Sequence, residues 1–241
     1  MPDCPDRFSR TELLLGEAGL RRLAESTVAV FGIGGVGSYA VEALARAGVG
    51  HLVLIDKDVI CPSNINRQLH ATVRTVGMKK TGVMKDRILE INPAAVVDTV
   101  DAFYGQETAE DFFRQRYDYV VDAIDTVAGK ISLVLECRKR GVPIICSMGA
   151  GNKLNPGMFE VADIYSTSVD PIARIMRKKL KEHRVRSLKV VYSREVPLHI
   201  GQKGDAGIRP PVGSISFVPS VAGLMLAGEV VGDLLAVGAS A

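Results

Sequence analysis

The chain has 241 residues, 47% of them hydrophobic and 24% charged, which is the composition of a folded globular protein and excludes a disordered one. Its formal net charge of +3 conceals a split: residues 174–194 hold nine basic side chains against one acid, so this window carries +8 and the remainder −5. A uniformly basic nucleic-acid binder is thereby excluded, a mildly acidic body with one basic patch is not, and the lack of tryptophan speaks against broad aromatic platforms for unpaired bases.

Residues 11–24 space Leu13, Leu14, Leu20 and Leu23 as an amphipathic helix. TVAVF then reads as a strand, GIGGVG at 32–37 as a glycine turn, SYAVEALARAG as a small-residue helix and HLVLID at 51–56 as a second strand. Together they make a βαβ unit, the opening of a Rossmann-like, doubly wound, mainly parallel α/β sheet. The rhythm continues with a helix near 79–91, a strand at 96–100, a helix at 107–116, a strand over YDYVVDAID, a helix at 127–140 and a strand over VPIICS. Beyond Gly149 the pattern loosens. GMFEVADI and LKVVYS read as strands around a basic helix at 170–184, and 194–213 as a long loop. SISFVP and SVAGLMLAGEVVGDLL add a C-terminal strand and helix.

Residues 210–228 carry no charge, but Pro210, Pro211 and Pro219 interrupt them and Glu229 and Asp233 follow, so they read as buried structure and not as a bilayer anchor. The start, MPDCPDRFSR, lacks the apolar core of a signal peptide. Cys4, Cys61, Cys137 and Cys146 form no C-x-x-C pair, so neither a disulfide scaffold nor a zinc ribbon is expected. These features point to a reducing cytoplasm, with no membrane partner.

Gly32, Gly34 and Gly37 fit G-x-G-x-x-G between a strand and a helix, with Gly35 beside them, where a backbone can approach a phosphate and a helix N-terminus can meet it. Asp56, 19 residues past Gly37, ends the next strand where a carboxylate would hold ribose hydroxyls. This much fits NAD and ATP alike, while the absence of G-x-x-x-x-G-K-[ST] excludes a P-loop. The following loop separates the two. DKDVICPSNINRQLH holds Asp56, Asp58, Asn64, Arg67 and Gln68; Lys80 follows, and DAIDT closes a later strand with Asp122 and Asp125. Hydride transfer has no use for an arginine, a lysine and an extra acid around the phosphates. Nucleotidyl transfer does, because cations stabilise the triphosphate and a carboxylate holds Mg²⁺ against it.

GxGGxG, D-x-D, N-x-x-R-Q, the lysine thirteen residues on and D-x-x-D resemble the adenylation domain shared by ubiquitin-activating enzymes, ThiF and MoeB. Several stretches, among them RFSRTELLLGEAGL, NINRQLHA and DAIDTVAGK, are most similar to its threonylcarbamoyladenosine dehydratase branch. The resemblance implies ATP and Mg²⁺ as cofactors, with Asp56 on the ribose, Asn64, Arg67 and Lys80 on the phosphates, Gln68 beside them, and Asp125 on the metal. It implies that Arg10 reaches a partner subunit's site, hence a homodimer, and leaves room for a sulfur-transfer partner (a cysteine desulfurase or its acceptor). The substrate it implies is tRNA carrying threonylcarbamoyladenosine, activated as a carboxyl-adenylate and cyclised with loss of water. The alternative is adenylation of the C-terminal glycine of a ubiquitin-like sulfur carrier.

Two features bear on that choice. MoeB-type zinc pairs and a downstream thioester cysteine are absent; Cys61 reads as a loop residue and Cys137 and Cys146 as core. Arg174, Arg177, Lys178 and Lys181, at i, i+3, i+4 and i+7, line one helix face and are the candidate tRNA contacts. His70 and His183 read as surface or loop residues. With neither linker nor repeat, one domain over 1–241 is expected: a nucleotide-binding half, 1–150, and a substrate and dimer half, 151–241, with the basic segment 174–194.

Overall fold

Alternation along the first strands decides what covers the sheet. In β1 (Thr27–Phe31), Val28 and Val30 enter one apolar cluster and Ala29 and Phe31 another; in β2 (His51–Ile55), Leu52 and Leu54 join the first, Val53 and Ile55 the second. A sheet apolar on both faces must be covered on both, as parallel sheets are. The computed structural model describes residues 6–199 and 212–239. Its further strands are β3 (Val96–Val100), β4 (Tyr119–Asp122), β5 (Ile144–Ser147), β6 (Phe159–Asp163) and β7 (Lys189–Ser193). All seven form one sheet in the order β3-β2-β1-β4-β5-β7-β6, parallel except for β6 against β7.

The first face is covered by α2 (Gly37–Ala47), α3 (Lys80–Ile91) and α6 (Phe217–Ala239), with Leu23 of α1 (Ser9–Ala24) at its margin. The other face is covered by α4 (Val127–Arg140), α5 (Pro171–Glu182) and a 3₁₀ segment at Gln106–Phe113. The last of these was expected as an α-helix over 107–116. Its buried residues are Ala109 and Phe112, three apart, a spacing that three residues per turn stacks on one side.

The C-terminal strand expected over SISFVP does not form, because α6 already begins at Phe217. Val218, Ala222, Leu226, Val230 and Leu234 recur every four residues, all buried, and Pro219 sits in the first turn, where its missing N–H costs nothing. Among the described residues α6 is the one helix long and apolar enough to cross a membrane, and its buried row packs into the core. Lys189 on β7 pins it, pairing with Glu229 at 3.0 Å and Asp233 at 2.8 Å, while the Tyr119 hydroxyl donates to Asp233 at 2.6 Å.

Candidate active site

β1 lies between β2 and β4, whose crossover helices α2 and α4 cover opposite faces, so a crevice opens at its carboxyl end. The glycine turn occupies that end. Gly32 has φ +88°, and a Cβ there would stand 2.6 Å from the Ala123 carbonyl oxygen. A Cβ on Gly37 would collide with the Gly32 carbonyl, so only glycine lets α2 start this close to β1. No side chain caps α2, which leaves its positive end open toward the crevice.

A cavity of about 530 Å³ fills the crevice. Gly32, Gly34 and Gly35 form one wall, and Asp56, Asp58, Asn64, Arg67, Gln68 and Lys80 another. Asp125 enters from the loop after β4, so ten of the sequence-derived candidates meet around one volume. Gly37 stands behind the glycine wall. Arg10 lies exposed on α1 and does not line the cavity.

The electrostatics of this volume are set by short contacts. Lys80 is buried, with its Nζ 2.8 Å from Asp58 and 3.7 Å from Asp56, so its charge stands at a fixed point on the wall. Asp56 in turn accepts the Ile33 N–H at 2.7 Å, tying the glycine turn to the end of β2. Arg67 donates to the Ser63 carbonyl and to Asn66, which fixes its guanidinium within the loop, while its aliphatic stem packs beside Gly35. Asn64 accepts the Cys61 N–H at 3.0 Å, which leaves its amide group as the polar end available to a ligand. Gln68 is buried with its Oε1 unpaired among the described residues.

Asp125 is exposed and makes no ion pair among the described residues, where no group of three or more histidine, cysteine or acidic side chains could hold a metal. One open carboxylate fits a Mg²⁺ ion whose remaining ligands are phosphate oxygens and water, and does not fit a resident protein-caged metal. Its neighbour Asp122 is different: fully buried, it pairs with Lys130 at 3.1 Å, and Lys130 also donates to the Ser147 carbonyl at 2.7 Å. Sequence reading paired the two acids of D-A-I-D and missed this lysine eight residues on, although a lysine inside an apolar helix was the available signal.

Further lining comes from Ser147–Gly151 at the end of β5, from Val212 and from Ile172 in the first turn of α5. The basic helix therefore begins at the cavity and runs away from it. Of its four candidate contacts, Arg174, Lys178 and Lys181 are exposed, whereas Arg177 is half-buried and donates to both oxygens of Thr167. Elsewhere in the basic segment, Lys189, Arg194 and Lys179 are paired with acids. His183 caps the end of α5 at the surface. His70 is not a surface residue but a buried one, its pKa pushed down to about 4 by burial and by the nearby Lys80 cation.

No cysteine lines the cavity among the described residues: Cys61 is exposed in the loop, and Cys137 and Cys146 are core thiols whose pKa burial raises. Cys4 and most of the 194–213 loop lie outside the described residues.

The chain is 49% identical over 240 residues to a tRNA threonylcarbamoyladenosine dehydratase of Bacillus subtilis, covering 95% of this chain and 94% of that one. Its structure superposes on Escherichia coli tRNA N6-threonylcarbamoyladenosine dehydratase (TcdA) in complex with ATP with a TM-score of 0.90, at 35% identity, covering 97% and 96% of the two chains. A probable molybdopterin-synthase adenylyltransferase of Porphyra purpurea is more distant, 34% identical over 49% of this chain and 31% of that one. The ThiF family model matches residues 8–239, and with the glycine turn, the N-x-x-R-Q loop and the paired strand-end acids in place, the chain belongs to the ThiF family.

Proposed function

We propose that the chain dehydrates threonylcarbamoyladenosine in tRNA to its cyclic form, using ATP. The observation that carries this reading is the shared cavity, in which a phosphate-binding turn, Arg67, Lys80 and Asp125 converge beside the start of a basic helix. ATP lies with its ribose hydroxyls at Asp56 and its triphosphate along Gly32–Gly35, where Arg67 and Lys80 offset the phosphate charge. The threonyl carboxylate attacks the α-phosphorus, the bond to pyrophosphate breaks, and a carboxyl-adenylate results. A nucleophile of the same modified base then displaces AMP and closes the ring, so one water is lost as ATP becomes AMP and pyrophosphate. No protein nucleophile is needed, in keeping with a cavity that no cysteine lines among the described residues. Mg²⁺ bound with ATP supplies further neutralisation of the phosphates, and Asp125 is the residue that would hold it.

The same reading makes the chain one cytoplasmic domain that works as a homodimer. Leu13 and Leu14 are each 86% exposed on the helix that carries Arg10, an apolar patch suited to burial against a second copy. That contact would place Arg10 where it can serve the neighbouring site. The candidate RNA contacts on α5 are Arg174, Lys178 and Lys181, with Arg177 bracing the helix through Thr167.

The test is to incubate the protein with ATP, Mg²⁺ and threonylcarbamoyl-modified tRNA, then to weigh the digested nucleosides. A nucleoside lighter by one water is expected. An unchanged nucleoside, together with adenylation of a carrier-protein tail, would refute the tRNA reading.

A further inference from the structure

Two buried charges join the basic helix to the cavity wall, and neither touches the nucleotide side. Lys153 and Asp170 have side chains 1% and 0% exposed, and their charged groups are 2.9 Å apart. Asp170 caps α5, its Oδ1 accepting the Ala173 N–H at 2.9 Å, while its Oδ2 accepts the Gly149 N–H at 3.1 Å. The Lys153 ammonium closes the junction by donating to the Gly149 carbonyl at 2.6 Å. The approach is so tight that a Cβ on Gly149 would stand 2.8 Å from Asp170 Oδ2. Gly149 and Ile172, on either side of the junction, both line the cavity.

Burying two opposite charges is a poor way to gain stability, since an apolar pair of like volume holds equally well. What an ion pair with fixed hydrogen-bond directions does supply is geometry. Both backbone groups of Gly149 and the first turn of α5 answer to one carboxylate–ammonium couple. Movement of the helix is thus passed to the cavity wall at Gly149.

We infer that Lys153 and Asp170 are positioning residues that hold RNA bound along α5 in register with the nucleotide in the cavity. This rests on the reading that α5 takes tRNA. The couple touches neither substrate. Its effect appears in turnover and not in either affinity, because Arg174, Lys178 and Lys181 keep their charges and neither Lys153 nor Asp170 lines the cavity.

The test uses the full-length double variant Lys153→Met, Asp170→Asn. It removes both charges together, which avoids an uncompensated buried ion, and the asparagine still caps α5. With ATP and threonylcarbamoyl-modified tRNA saturating, kcat is expected to fall about 10-fold or more, since small misplacements at a reacting centre are costly, while both Kd values stay within about threefold. A smaller fall in kcat overturns the inference. So does a loss of tRNA affinity as large as the loss of kcat, which would make the pair a support for the helix alone. If the double variant cannot be purified folded, Lys153→Arg, which keeps the charge and alters the reach, is measured against the same two outcomes. A wild-type chain that neither binds nor alters this tRNA would refute the tRNA reading itself, and the coupling with it, before any variant is compared.

Discussion

His70 offers a test of how the nucleotide loop is held. It is 3% exposed, and neither ring nitrogen has a partner among the described residues. Burial, and secondarily the Lys80 cation, lowers its pKa from 6.5 to about 4. The unfolded chain therefore takes up a proton near pH 6.5 that the native loop refuses until about pH 4. Native stability is fully present above pH 6.5 and is lost as the pH falls toward 4. A gap of about 2.5 pH units corresponds to about 3 kcal/mol from this one residue. Urea unfolding of the wild type and of His70→Leu, across about pH 7.5 to pH 4.5, isolates the effect, because the carboxylates titrate alike in both proteins. The wild-type curve should lose up to about 1.4 kcal/mol per pH unit more than the variant within that window. Parallel curves would refute the argument and mean that the imidazole finds a hydrogen-bond partner in solution.

Three further outcomes follow from the site. Gly32→Ala forces a side chain into φ +88° and against the Ala123 carbonyl; it should cost about 1–3 kcal/mol in thermal unfolding and weaken ATP binding, and a wild-type melting curve would contradict this. Asp125→Asn should lower turnover about 100-fold or more with tRNA affinity unchanged, measured by nucleoside mass spectrometry and filter binding. Lys178→Glu with Lys181→Glu should weaken tRNA binding and reduce the slope of log affinity against log salt by about two, with ATP affinity untouched; an unchanged slope would remove these lysines from the RNA surface.

The strands and the glycine turn could be read from the sequence because each carries a local signal: alternating β-branched residues, or glycines at fixed spacing. The convergence of Asp56, Arg67, Lys80 and Asp125 was also legible, since in a doubly wound sheet the carboxyl ends of strands share one crevice. What escaped depended on tertiary partners. SISFVP is short, apolar and β-branched enough for a strand, and only the face offered by α2 makes Phe217 begin a helix. The spacing of Arg174, Arg177, Lys178 and Lys181 gave one helical face but could not reveal that Thr167 would engage Arg177. Lys130 and Lys153 draw no reading from the sequence, because their partners, Asp122 and Asp170, meet them only in the folded molecule.

The placement of α6 bears on how the molecule is made. Pro219 in its first turn lies against Gly35 of the phosphate turn, and its buried row completes the cluster begun by Val28 and Val30 of β1. Nearly two hundred residues separate these partners in the chain, so the first half emerging from the ribosome exposes an unfinished apolar face and an unfinished phosphate wall. Competence to bind nucleotide is therefore acquired late in synthesis, and a fragment ending at residue 150 would be expected to aggregate before it bound ATP.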